Sequence, residues 1–227
     1  MHDPFDVRAV DGSALALRTL TLTGAGMATP IGEPEHDSLV YVGRGAGLLS
    51  IGDDSASLRA RSAALLPAGS EAQLSATDEL EAIVATVGAD ADLHAPMGPA
   101  ELVTSLDDTD AETATSARSF QILFGPHNGS TRATLFAGFI PPGKAPWHYH
   151  LYDEIVWVPE GPGCLHLEGG TEELGARAAF RLRPRQVHIV ENAGESEMTI
   201  IGIFTPAGSP SAAYLTADVA AEYRIAG

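Results

Sequence analysis

The chain repeats itself at a fixed distance, and this restricts its fold more than any local pattern does. DSLVYVGRGAGLLSI begins at Asp37 and DEIVWVPEGPGCLHL at Asp153, an offset of 116 residues. In that register Val40 matches Val156, Val42 matches Val158, Gly45 matches Gly161 and Gly47 matches Gly163. Further on, still without a gap, Leu58 matches Leu174, Arg61 matches Arg177 and Leu66 matches Leu182. Two separated blocks in one unbroken register imply two copies of a single unit. The unit is β-type: runs such as ALRTLTLTGAG, TRATLFAGFI, EIVWVPEG and MTIIGIF alternate apolar residues between Gly, Pro and Asp turns. Such alternation with closely spaced turns predicts an all-β barrel or sandwich. The copies join near PMGPAELVTSLDDTDAETATS, residues 96–116, which is polar, acidic and poor in large apolar side chains. A helix is predicted only in the tail SAAYLTADVAAEYRIAG, where Leu215, Val219 and Tyr223 fall on one face.

The second copy holds the chemistry. GKAPWHYHLYDE, residues 143–154, places His148, His150 and Glu154 close together, with Tyr149 and Tyr152 between them. Residues two apart in an extended strand share a face, so His148, His150, Tyr152 and Glu154 align if the strand runs straight. Two imidazoles and a carboxylate can form three sides of a cation's shell, and His188, from RLRPRQVHIVEN, can supply a fourth. The spacing alone also suits a polar strand face with no metal.

The wider pattern decides between these. Gly143, His148, His150, Glu154 and Gly161 form G-x4-H-x-H-x3-E-x6-G, and Pro184, His188 and Asn192 form P-x3-H-x3-N. This resembles the two motifs of the cupin superfamily, whose fold is a small jelly-roll β-barrel. The resemblance implies that His148, His150, Glu154 and His188 bind one divalent transition metal (Mn, Fe, Ni, Zn or Cu), and that Asn192 supports structure. Two departures stand out. The spacing between Gly143 and His148 is one residue short, and Arg185 replaces the usual glycine of the second motif, which puts that turn's shape in question. With both halves covered, the expected architecture is a bicupin. It would comprise a degenerate barrel over 1–112, a metal-binding barrel over 113–213 and a helical tail over 214–227. Shifting the ligands back by 116 gives Gly32, Pro34, Ser38 and Ala72, so the first copy is expected to keep the fold without the metal.

A formal charge of −17, with Lys144 the only lysine, disfavours nucleic acid and anionic lipid as partners. No apolar run approaches the roughly 20 residues that span a bilayer, and MHDPFDVRAVDG carries no secretory pattern, so a cytoplasmic location is expected. The single cysteine, Cys164, excludes an internal disulfide and is expected to be an inert buried thiol. By cupin analogy the expected function is a metal-dependent enzyme acting on an oxygen-rich small molecule. A dioxygenase-type oxidoreductase is favoured, with an isomerase, decarboxylase or hydrolase next, and a non-catalytic sensor as the alternative. Glu154 can serve as ligand or base and, with Tyr152 on the same face, is a candidate catalytic residue; Tyr152 and Phe136 are also candidates to line the pocket. His127 and His166 are expected in surface or packing roles more than as proton shuttles. Trp147 and Trp157 have the opposite parity to the ligands and are expected to pack between sheets or subunits. A homodimer using the tail is also anticipated.

Overall fold

The computed structural model describes residues 14–114 and 117–216. The first half carries β1 (Leu15–Thr23), β2 (Ala28–Pro30), β3 (His36–Ile51), β4 (Asp54–Arg59), β5 (Ser62–Leu66), β6 (Ala72–Gly88) and β7 (Val103–Ser105). The second begins with β8 (Glu112–Thr113), β9 (Ser119–Phe124), β10 (Thr134–Ile140), β11 (His148–His150), β12 (Asp153–Val158) and β13 (Gly163–Leu167). It ends with β14 (Gly170–Leu174), β15 (Ala178–Leu182), β16 (His188–Asn192), β17 (Met198–Thr205) and β18 (Ala213–Leu215).

In the first half one antiparallel sheet runs β1-β6-β3-β5-β7, with β2 added to β6 and β4 to β3. Register shifts between Val42 and Arg44 and between Gly45 and Gly47 bend β3, so one long strand turns a barrel corner. In the second half the same corner is broken between β12 and β13, and two sheets result. One runs β15-β12-β17-β10-β9-β8 and the other β14-β13-β16-β11-β18. The offset of 116 maps β5 onto β15 end to end and the start of β6 onto the start of β16. Arg61 and Arg177, matched in sequence, both adopt left-handed backbone conformations, at φ 74° and 64°. Their amides donate to the matched carbonyls of Val42 and Val158. The duplication seen in sequence is therefore a duplication of fold.

Alternation explains how the halves meet. In β3 and β12 both strand faces are buried, which requires apolar residues at successive positions. Val40 and Val42 point into the first barrel, and Val156 and Val158 into the second. Leu39, Tyr41, Ile155 and Trp157 point the other way, into a shared core with Leu65, Ile83, Phe124 and Ile203. The two halves thus form a sandwich along their outer sheet faces. The joining segment follows both: β7 pairs with β5 of the first half and β8 with β9 of the second, so the hand-over lies in 106–111.

The tail departs from expectation. Ala213–Leu215 is a strand that pairs with β11, not the start of a helix, and Tyr149 stacks on Tyr214 with ring centroids 5.5 Å apart. β11 needs a partner for its open edge, and that demand outweighs the local helical periodicity. Val219 and Tyr223 lie outside the described residues. No helix among the described residues is long and apolar enough to cross a membrane.

Candidate metal centre

The strand does not run straight from His148 to Glu154. β11 ends at His150, the chain bends at Leu151 and Tyr152, and β12 begins in the opposite sheet. His148 and His150 therefore approach from one sheet and Glu154 from the other. His188, at the start of β16, stands directly opposite His148 in the antiparallel register. The three imidazole rings lie 4.4 to 5.2 Å apart between centroids. One ligand nitrogen from each lies within 4.8 Å of the others, an arrangement that can hold a metal ion. Glu154 does not belong to that mutual set but touches it, with Oε2 3.0 Å from His150 Nδ1.

The donors are prepared for a cation. His148 Nδ1 donates to Pro146 O at 2.9 Å and His188 Nδ1 to Gln186 O at 2.8 Å. Those bonds fix the tautomer and leave each Nε2 lone pair free. His150 Nδ1 and Glu154 Oε2 are buried without a hydrogen bond, since their 3.0 Å approach lacks the required geometry. Leaving two such atoms unsatisfied is costly, and an ion coordinated beside them would satisfy both. Burial, partly offset by its bond to Pro146 O, pushes His148 down to about 4. Burial and the neighbouring His148 push His188 down to about 3. Both rings are thus neutral at pH 7, the form that ligates metals.

A pH dependence follows. In the unfolded chain these histidines take up protons below about pH 6.5, whereas in the folded metal-free protein they stay neutral to about 4 or below. The unfolded state therefore binds more protons across that interval, and stability falls as pH drops through it. Urea melts of metal-free protein at pH 7.5, 6.0 and 4.5 should show the midpoint decreasing, with a shallower slope in His188→Gln. Equal slopes in the two proteins would contradict the assignment.

The centre sits in a cavity of about 120 Å³. Its walls are mostly apolar, with Phe120, Phe136, Val190 and Ile200 among them. Phe136 takes the wall position expected of it, edge-on to Phe204. The Tyr152 ring stacks between His150, at 4.6 Å, and Phe204, at 4.0 Å. Burial, and then the Glu154 charge, raise its phenol far above the ordinary range, so it remains a protonated donor. Arg185 adopts φ 66°, the left-handed conformation that a glycine would favour, and its amide bonds His150 O at 2.6 Å. The second-motif turn is therefore kept despite the substitution. Asn192 is structural: its Nδ2 donates to Ile140 O and Ser196 O, and its Oδ1 accepts from Gly194 N.

One pocket residue escaped the sequence reading. Arg118 lines the cavity, and its Nη2 donates to Val190 O. No carboxylate pairs with it among the described residues. Burial lowers its pKa to about 10, still cationic at neutral pH. A single arginine at the end of a polar linker has no periodicity or motif to mark it. His127, by contrast, is exposed on the turn Pro126–Asn128 and does not line the cavity. Trp157 is fully buried between the halves, and Trp147 is half-buried. Cys164 departs from the buried site expected for it: it is half-buried on the outer face of β13, and His166 lies beside it. Burial, then Glu191 and Glu173, raise its thiol above the ordinary range.

Among its described residues the first half offers no equivalent centre. A Cβ at Gly32, the match of His148, would meet Ser70 O at 1.8 Å, so no imidazole fits. Leu49, Leu66, Leu74 and Leu80 fill the interior instead.

Comparison with known proteins agrees with this fold. Residues 137–204 match the family model for the cupin domain. Oxalate decarboxylase OxdC of Bacillus subtilis, in the form of a single-site mutant, superposes with a TM-score of 0.73 at 12% identity, covering 90% of this chain and 71% of its own. The Lactobacillus farciminis oxalate decarboxylase formate complex gives 0.74 at 12%, covering 92% and 81%. AerE from Microcystis aeruginosa gives 0.69 at 13%, covering 85% and 88%. No curated protein matches in sequence. Residues 137–204 thus match a cupin domain, and the chain as a whole shares the fold of these two-barrel structures.

Proposed function

We propose that the protein is a metal-dependent cupin enzyme acting on a small carboxylate, by cleavage or proton shift next to the acid group. The second half would carry the chemistry and the ligand-free first half would serve as its structural support. Arg118 is the observation that carries this reading. A half-buried guanidinium with no carboxylate partner among the described residues, beside a centre suited to a divalent cation, leaves positive charge that an anionic substrate would balance. His148, His150, His188 and Glu154 would hold the ion. When bound, a divalent metal supplies Lewis acidity toward the substrate's oxygens.

The remaining work belongs to the chain. Arg118 can grip a carboxylate by two parallel bonds and fix its orientation. The phenylalanine and aliphatic walls exclude water and suit an acid with little further polar surface. Tyr152 can donate to a developing negative charge, and Glu154, poised against His150, can accept or return a proton. The cavity's small volume favours a compact acid, and oxalate and related short acids are the first to try, given the decarboxylases among the structural neighbours. The dioxygenase favoured from the motif finds no support in those neighbours and takes second place.

The test is a panel of small carboxylates with metal-loaded protein, following acid consumption, CO2 release and O2 uptake together. Turnover without O2 uptake is expected. Arg118→Met should raise KM about 100-fold, in line with the 2–5 kcal/mol cost of losing one partner of a buried charge pair, with metal content unchanged. Steady O2 uptake equal to substrate loss, or turnover indifferent to Arg118, would overturn the proposal.

A further inference from the structure

We infer that the chain holds a second metal site, on the outer face of its second barrel, formed by Cys164, His166 and Glu191 and suited to Zn2+. Cys164 and His166 are two apart on β13 and share a face, while Leu165 between them points into the core. Glu191 on β16 stands directly across from Cys164 in the register. A sulfur, a nitrogen and a carboxylate oxygen from these residues lie within 4.8 Å of one another. Glu173 on β14 faces Cys164 from the other side and can complete a fourth position.

Donor chemistry separates this site from the barrel interior. The inner centre offers only nitrogen and oxygen, whereas a thiolate with an imidazole and a carboxylate suits Zn2+ and its usual probe Co2+. The outer histidine also has the supporting bond that ligating histidines use. Its Nδ1 lies 2.9 Å from Thr171 Oγ1, and its Nε2 lies 2.6 Å from Glu191 Oε2, on the side of the proposed ion. The Lys144 ammonium already lies 3.5 Å from Glu191 Oε2, so a cation is drawn to this spot. A divalent ion would take its place and open the His166–Glu191 contact to ligand spacing. Tying β13 to β16 would brace the strand that begins with His188, and metal affinity would add to fold stability.

The chain has only one cysteine, which makes the test specific. Titrating the full-length metal-free protein with Co2+ should give a near-ultraviolet thiolate-to-cobalt charge-transfer band, which the inner site cannot produce. Two ions should bind to wild type and one to Cys164→Ser, which loses the band. His148→Ala/His150→Ala should keep it. His166→Gln and Glu191→Gln should each weaken the band's Co2+ affinity by more than about 10-fold, and Thr171→Val by about 10-fold. Absence of the band at saturating Co2+ would overturn the site and leave His166 and Glu191 as a simple ion pair. A band indifferent to both glutamine variants would reduce it to a lone thiol binding cobalt, and would equally overturn it.

Discussion

His188→Ala is expected to strip the inner centre of its metal while leaving the fold intact. Affinity should fall by well over 100-fold, beyond the 10–100-fold typical of losing only an outer-shell partner. Activity that depends on the metal should fall with it. The loss is large because His188 is the ligand opposite His148, and removing it leaves two imidazoles from one short strand and Glu154. The fold should survive because the matched position in the first barrel is Ala72, which is buried in a well-packed strand. Metal-free His188→Ala should even resist acid better than metal-free wild type, having lost a buried ring whose protonation favours unfolding. Metal analysis by mass spectrometry after identical loading, with melts of the metal-free forms, checks both halves of the expectation. Equal metal at the inner centre in variant and wild type would remove the basis for the centre.

The second large effect is on stability. Trp157→Ala should cost about 3–5 kcal/mol, the range for truncating a buried aromatic, out of a total near 5–15 kcal/mol for a typical protein. The indole is almost fully buried in the core that both halves share, edge-on to Tyr41 at 6.4 Å. Gly43 makes room for it: a Cβ there would meet Trp157 Cη2 at 2.6 Å. At about 2–4 °C per kcal/mol, Tm should fall by roughly 6–20 °C, and as one transition because the seam belongs to both halves. Trp157→Phe should cost much less, since it keeps a ring and removes an indole N–H that has no partner. Calorimetry of the three proteins decides it, and two separate transitions, with only one shifted by Trp157→Ala, would contradict a shared core.

Much of this architecture was legible in the residues, for a physical reason. A repeat preserves what the backbone needs, so the offset of 116 located matching strands and even the paired left-handed arginines. The three histidines were legible because metal chemistry restricts both residue type and spacing. What could not be read were relations set by distant partners. Alternation along GKAPWHYHLYDE predicts a shared face, but it cannot show that the chain changes sheets at Tyr152 and sends Glu154 in from the far side. The tail's periodicity suits a helix, and only the open edge of β11 makes Ala213–Leu215 a strand. Arg118 was invisible because its importance lies in its place on the cavity wall, with no carboxylate partner among the described residues, and sequence does not record such relations in space.

The apolar seam along Tyr41, Trp157 and their neighbours makes each barrel a lid for the other. With the outer faces joined there, the two interiors are free to differ, and leucines fill the first where histidines line the second. Removing either half would expose the sheet that its twin covers. The first half therefore matters for the face it hides.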